Sequence, residues 1–289
     1  MWLLMAIGAS ISFGIRGVFY HWAAKRAVNR NLMLFGVYLC GMIGSVALGL
    51  LNGQAWNAAS MTGVLMGAFS FSANASLVKG FAGEKAAIVA LLSGLAPVVV
   101  TILAYLLWHE TFTGLQLVAF LIIMFAIVVT NWAPQSGQSI RIGLGMGLLA
   151  MFFFGFTDTT SAWSTRLGAD VFPTLSMMFA TGAACFGCWW LLERRAARSQ
   201  ASRGGARGWP IGKTLVFGMF VGLLNLVGMY LALNALHGGM AGLVSALLAM
   251  NIVVILLYIH FFAGNHLRRV EWFGVSLALV GIIILQLAE

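Results

Sequence analysis

Asp158 is the only carboxylate deep inside any of the long apolar runs of this chain, for Glu271 stands at the very start of the last one. Asp158 sits in Gly155-Phe156-Thr157-Asp158-Thr159-Thr160-Ser161. A charge at bilayer depth is costly, so each one needs a structural or functional reason. Two reasons are open to Asp158. The neighbouring threonines can cap it close enough to the surface for hydration. Alternatively it couples a proton or recognises a cation. With helix entry near Ile142 it lies about 24 Å along its span, toward the far face.

Two cations accompany it. Arg16 lies in the first apolar run and either snorkels toward the nearer interface or lines a vestibule and attracts an anionic group. Lys79 ends the third run. It is close enough to the surface to snorkel, or it joins Arg16 in an inner anion site. Asn74, Asn225 and Asn251 fall mid-run, with Ser70 at the position equivalent to Asn225. Amides there hydrogen-bond between helices at about 0.6–2 kcal/mol each, or contact a solute. Trp22, Trp163, Tyr105 and Tyr230 can wall a planar or cationic substrate. Trp22 and Trp163 also suit an interfacial aromatic belt. Pro97 removes a helix hydrogen bond and is read either as a hinge or as a tolerated kink.

The remaining chemistry is thin. The chain carries no His-Glu-x-x-His, no phosphate-cradling Gly-x-x-x-x-Gly-Lys-Ser/Thr and no nucleophile elbow. The five histidines are scattered, and the three cysteines (Cys40, Cys185, Cys188) lie in apolar runs with no metal-ligand spacing around them. The reading is a non-enzyme without cofactor or metal. Lacking a nucleotide site, it would run on a gradient or passively.

These residues are carried by membrane helices. The 289 residues are 61% hydrophobic and 8% charged, with a mean hydropathy of +0.98. A soluble domain carries about 25% charge. Spans of about 20 residues are expected at 2–22, 31–51, 61–81, 86–108, 114–131, 142–163, 171–192, 214–236, 240–262 and 270–288. Segment 132–141 links the two halves, and 193–213 is the one long polar loop. Trp2 opens the first run with no basic region before it, unlike a cleavable signal. The net charge of +9 belongs to loops rather than to nucleic-acid binding, because basic residues of membrane proteins collect on the cytoplasmic side. The connections after odd-numbered spans hold fourteen of the sixteen Lys and Arg residues, whereas the even connections hold Arg166 alone. The 193–213 loop is therefore expected in the cytoplasm of the cell (inner) membrane and both termini outside.

The chain also repeats itself. Phe13-Gly14, Trp22 and Lys25 recur as Phe154-Gly155, Trp163 and Arg166, at an offset of 141; Gly63, Gly67 and Gly83 recur as Gly218, Gly222 and Gly238, at an offset of 155. Residues 1–141 and 142–289 thus read as two five-helix copies. An odd number of spans per copy inverts the second in the membrane, as in many secondary transporters. Inversion places Arg16 and Asp158 on opposite sides of the midplane, which argues against an ion pair between them.

The end of the first half reads Ala90-Leu91-Leu92-Ser93-Gly94-Leu95-Ala96-Pro97, then Trp108-His109-Glu110-Thr111-Phe112-Thr113, then Gln116. This resembles the ten-helix EamA-type members of the drug/metabolite transporter superfamily. Their pattern has a proline in the fourth helix, an acidic-x-x-Thr turn, then Gln and usually Gly at three-residue steps. Ala119 stands where that glycine is usual. The second half departs further: Ile252 replaces the proline and Asn265 the acid, Arg268 and Glu271 take the next steps, and Gly274 keeps the last. The resemblance implies an all-α membrane protein of two inverted five-helix repeats. It further implies a cavity lined by helices 1–4 and 6–9, with helices 5 and 10 outside, and export of a small organic metabolite in contact with membrane lipid. The alternative is a non-transporting subunit or scaffold that assists a lipid-linked substrate; it would pack Asp158 and the asparagines together and leave no cavity. The sequence specifies neither the substrate nor an oligomer.

Overall fold

The computed structural model describes residues 1–24, 26, 28–81, 86–130, 140–199, 209–262 and 268–288. Lys25, Gly83, Lys85, Asn265, positions 132–139 of the linker and the 200–208 stretch, all used in the sequence reading, lie outside the described residues. The described chain is all-helical. Its α-helices are α1 (Trp2–Ala24), α2 (Arg30–Leu51), α3 (Thr62–Phe81), α4 (Ala86–Ser93), α5 (Ala96–Trp108), α6 (Gly114–Thr130), α7 (Ile140–Arg166), α8 (Val171–Ser199), α9 (Ile211–Gly238), α10 (Ala241–Ala249), α11 (Asn251–Phe261) and α12 (Arg269–Leu287). Among the described residues, eight spans are long and apolar enough to cross a membrane, and Gly114–Thr130 is a shorter apolar helix. One of the eight joins α4 to α5 and another joins α10 to α11, so the twelve helices form ten rods.

Two expectations change. The polar loop is shorter than 193–213, because α8 runs on to Ser199 and α9 starts at Ile211. Glu193, Arg194, Arg195, Ala196 and Ala197 favour helix even where apolarity ends. Asn31 Nδ2 also ties Glu193 Oε1 to α2 at 2.7 Å. Further, the fourth and ninth rods are both interrupted. At Leu95 and at Met250 the backbone tightens, each N–H reaching the carbonyl three residues back (Leu92, 3.0 Å; Leu247, 3.1 Å). Pro97 falls in the first turn of α5, just past the first break, where a missing N–H is tolerated. The second has no proline, for Ile252 stands at that place.

Packing between rods is reciprocal. α1 lies on α9 and α7 on α3; α2 lies on α9 and α8 on α3; α6 pairs with α12. The glycines show the register. A Cβ on Gly63 or Gly67 would meet the carbonyl oxygens of Thr174 or Met178 at 2.1 and 2.4 Å; on Gly218 or Gly222 it would meet those of Met33 and Val37 at 2.3 and 2.6 Å. Met33 stands to Thr174, and Val37 to Met178, at the same offset of 141 found in the sequence. Absence of a side chain lets these backbones touch, the usual device for helix association in lipid.

Candidate functional site

The rods enclose a central cavity of about 290 Å³. Helical spacing turns one face of each rod toward it. α1 gives Phe13, Arg16 and Tyr20; α3 gives Ser70, Asn74 and Leu77; α7 gives Phe154, Thr157 and Asp158; α9 gives Asn225 and Met229. The two broken rods bring their interruptions to the wall, with Ser93, Gly94 and Pro97 on one side and Ser245, Asn251 and Ile252 on the other. α8 contributes Met178, whereas α2, α6 and α12 contribute no lining residue. The second helix thus stands behind the wall, where Tyr38 shares a 2.5 Å hydrogen bond with Ser70.

Polar groups from different rods meet here. Arg16 Nη1 donates to Asn225 Oδ1, and its guanidinium lies 4.6 Å from the ring centre of Phe13 and 5.6 Å from that of Tyr20. Its Nε is buried without a hydrogen-bond partner among the described residues. Ser12 Oγ holds α1 in place by donating to Leu224 O at 2.8 Å. Asp158 Oδ2 accepts from Ser245 Oγ at 2.5 Å. Thr157 donates instead to Phe153 O, one turn back on its own helix. The Asp158 hydrogen bond therefore comes from α10, across the cavity wall, rather than from a neighbouring threonine. Asn74 Nδ2 is turned to Ser70 O at 2.8 Å.

Seven of the residues singled out from the sequence share this cavity: Arg16, Ser70, Asn74, Pro97, Asp158, Asn225 and Asn251. Five stand elsewhere. Trp22 packs against Trp209 and Phe217, and Tyr105 is exposed. Lys79 is exposed, with Nζ 5.4 Å from the Trp189 ring. Trp163 is 43% exposed on the outside. Tyr230 stacks on Phe172, ring centres 5.2 Å apart and 8° from parallel. Ser245 was missed by the sequence reading; it occupies the repeat-equivalent place of Ala90, so the repeat itself gave no polar signal.

A second polar cluster gathers where the even connections meet. His109 takes the left-handed conformation, φ 54°, which ends α5, and the Glu110 N–H turns back to Ala104 O. Glu110 then reaches two elements of the second half. Its Oε1 pairs with Arg166 Nη2 at the end of α7, and its Oε2 accepts from the Ala241 N–H at the start of α10, at 2.9 Å. A carboxylate at a helix N-terminus meets unpaired amides and a favourable dipole. Arg166 also covers the Trp108 ring at 4.4 Å. Nearby connections are tied alike. Asp170 Oδ2 accepts from Ala55 N–H at 2.7 Å, and Gln54 Oε1 from Phe172 N–H at 2.8 Å. A lone arginine on the side poor in basic residues was the sequence signal for this cluster.

Apolar rods around a polar-walled cavity define an integral membrane protein. A family model of the EamA-like transporter family matches residues 1–132 and again 141–287. The chain belongs to that family. It is accordingly a membrane transporter, not an enzyme, with a small-molecule substrate and a lipid environment. Solved structures agree in fold: one crystal structure superposes with a TM-score of 0.76 over 99% of this chain and 96% of its own, at 15% identity. No curated protein matches in sequence.

Proposed function

We propose that this chain is a secondary transporter that exports a small organic metabolite by alternating access. In this reading residues 1–141 and 142–289 are inverted halves that rock about the central cavity. The odd connections, with 193–213, face the cytoplasm of the cell (inner) membrane, and both termini lie outside. The observation that carries the proposal is the cavity itself. Arg16, Asp158 and three asparagines all line one cavity; Arg16 meets Asn225, but the set is not packed into a closed cluster, which supports transport over the scaffold alternative. A volume near 290 Å³ stands at the small end of ligand pockets, about 300–1,000 Å³. The wall offers a guanidinium and a carboxylate, so the fitting solute carries both hydrogen-bond acceptors and donors. Tyr20, Leu77 and Ala90 extend the lining to about one turn from the odd-side helix ends. The Glu110–Arg166 pair braces the other side, which suits an inward-facing state with the outer side closed. Export is carried over from the family resemblance.

A thermal-shift screen of the purified protein against amino acids, sugars and organic cations tests this reading. A stabilising ligand should emerge, and at least one of Arg16→Gln and Asp158→Asn should remove its shift. A ligand whose shift survives in both variants does not sit in this cavity, and the proposal fails.

A further inference from the structure

A larger hollow, about 580 Å³, lies on the outside of the bundle between α1, α9 and α11. α1 separates it from the cavity. Arg16 and Tyr20 look inward, and Phe19 and Trp22, on another face of the same helix, wall the outer groove. Phe217, Val254, Leu257 and Phe261 complete it, so the lining is apolar. Trp22, Phe217 and Phe261 stand near helix ends at the odd connections, which sets the mouth of the groove at one membrane interface.

Two cations crown that mouth. The Arg26 guanidinium lies 3.6 Å from the ring centre of Trp22. Trp22 meets Trp209 edge-on at 5.7 Å, and Lys213 Nζ is 4.4 Å from the Trp209 ring. Both cations are exposed, and among the described residues neither is in a salt bridge. The tryptophan faces orient the two charges without neutralising them. Basic residues at a membrane surface attract anionic lipid headgroups, and an apolar trench directly beneath them receives the chains.

We propose that this groove is a binding site for an anionic phospholipid, with its acyl chains along Phe19, Phe217 and Leu257 and its phosphate between Arg26 and Lys213. Charge complementarity at the mouth selects it over a zwitterionic lipid. The site adjoins the α1–α11 contact, where a Cβ on Gly14 would come within 2.4 Å of Val254. A lipid there would brace α1, the helix that carries Arg16.

Native mass spectrometry of the purified full-length protein, titrated with phosphatidylglycerol or phosphatidylcholine of identical chains, tests the site. The wild type should retain phosphatidylglycerol at roughly tenfold lower concentration, a preference that comes from headgroup charge. Arg26→Gln with Lys213→Gln should reduce that preference to within about twofold, with phosphatidylcholine retention unchanged. The control, Arg194→Gln with Arg195→Gln, removes equal charge from α8, where Arg194 covers Trp190 away from the groove; it should keep the preference. Equal retention of the two lipids by the wild type overturns the proposal. So does a preference that survives in the groove variant, or one lost equally in the control.

Discussion

The two halves of the molecule share their packing and differ in their chemistry. Gly63 and Gly67 rest on the carbonyls of Thr174 and Met178 as Gly218 and Gly222 rest on those of Met33 and Val37. Both fourth rods are interrupted at the cavity wall. Apart from Ser70 and Asn225, the polar residues of the cavity do not follow this symmetry. Arg16 lines the cavity from the first half and Asp158 from the second. Ser245, which donates to Asp158, replaces an alanine at the equivalent place, and Ile252 replaces Pro97. Glu110, which bridges to α7 and α10, stands where the second half has Asn265. A repeated scaffold can supply two matched shapes for the proposed cycle. The unmatched residues are then free to set what is carried and which side is sealed.

The largest effects should come from the shared packing. Gly67→Leu and Gly222→Leu each drive a side chain into a backbone carbonyl that cannot yield, at a cost of about 3 kcal/mol, the upper end for overpacking. Both should lose folded, monodisperse protein in gel filtration to a similar degree. One tolerated and one ruinous variant would break the equivalence of the halves.

Next comes Asp158→Asn, a change confined to the unmatched chemistry. If Asp158 couples protons, gradient-driven transport in vesicles should fall by more than about tenfold while counterflow exchange persists. Failure of both assays would assign it to direct substrate contact. Normal transport in both would make it structural.

Glu110→Gln is expected to act more mildly. It removes the ion pair and keeps an acceptor for the Ala241 N–H. Arg166 is 39% exposed, so the screened loss is about 1 kcal/mol or less. A small fall in Tm should accompany greater labelling, from the outer face, of a cysteine placed in the cavity at Ser93. Unchanged outer labelling would deny the pair its sealing role. The smallest effect should be that of Pro97→Ala. Since the ninth rod breaks without a proline, the fourth should stay broken too, with transport within about twofold of wild type. A straightened helix with abolished transport would restore Pro97 as a required hinge.

The rods were legible in the sequence because membrane thickness and hydropathy fix their lengths. Arg16, Asp158 and the three asparagines were legible because polar groups inside apolar runs are conspicuous. Facing was not. A membrane helix is apolar on its lipid side and often on its packed side, so its periodicity says little about orientation. Nothing in the sequence distinguished Tyr230, which stacks on Phe172 outside the cavity, from Tyr20, which lines it. The break at Met250 left no trace, since no proline marks it. Glu110 and Arg166, 56 residues apart, meet only when the fourth and sixth rods end side by side.

The central claim, a cavity that opens to each side in turn, is tested most directly at Ser93. In a cysteine-free background, Ser93→Cys should react with an impermeant maleimide in both right-side-out and inside-out vesicles. Reaction should be slower from the outer face if, as proposed, Glu110 and Arg166 hold that side closed, and Glu110→Gln should speed it there. Labelling from one face alone, unchanged by Glu110→Gln, would contradict alternating access and return the chain to a static membrane subunit.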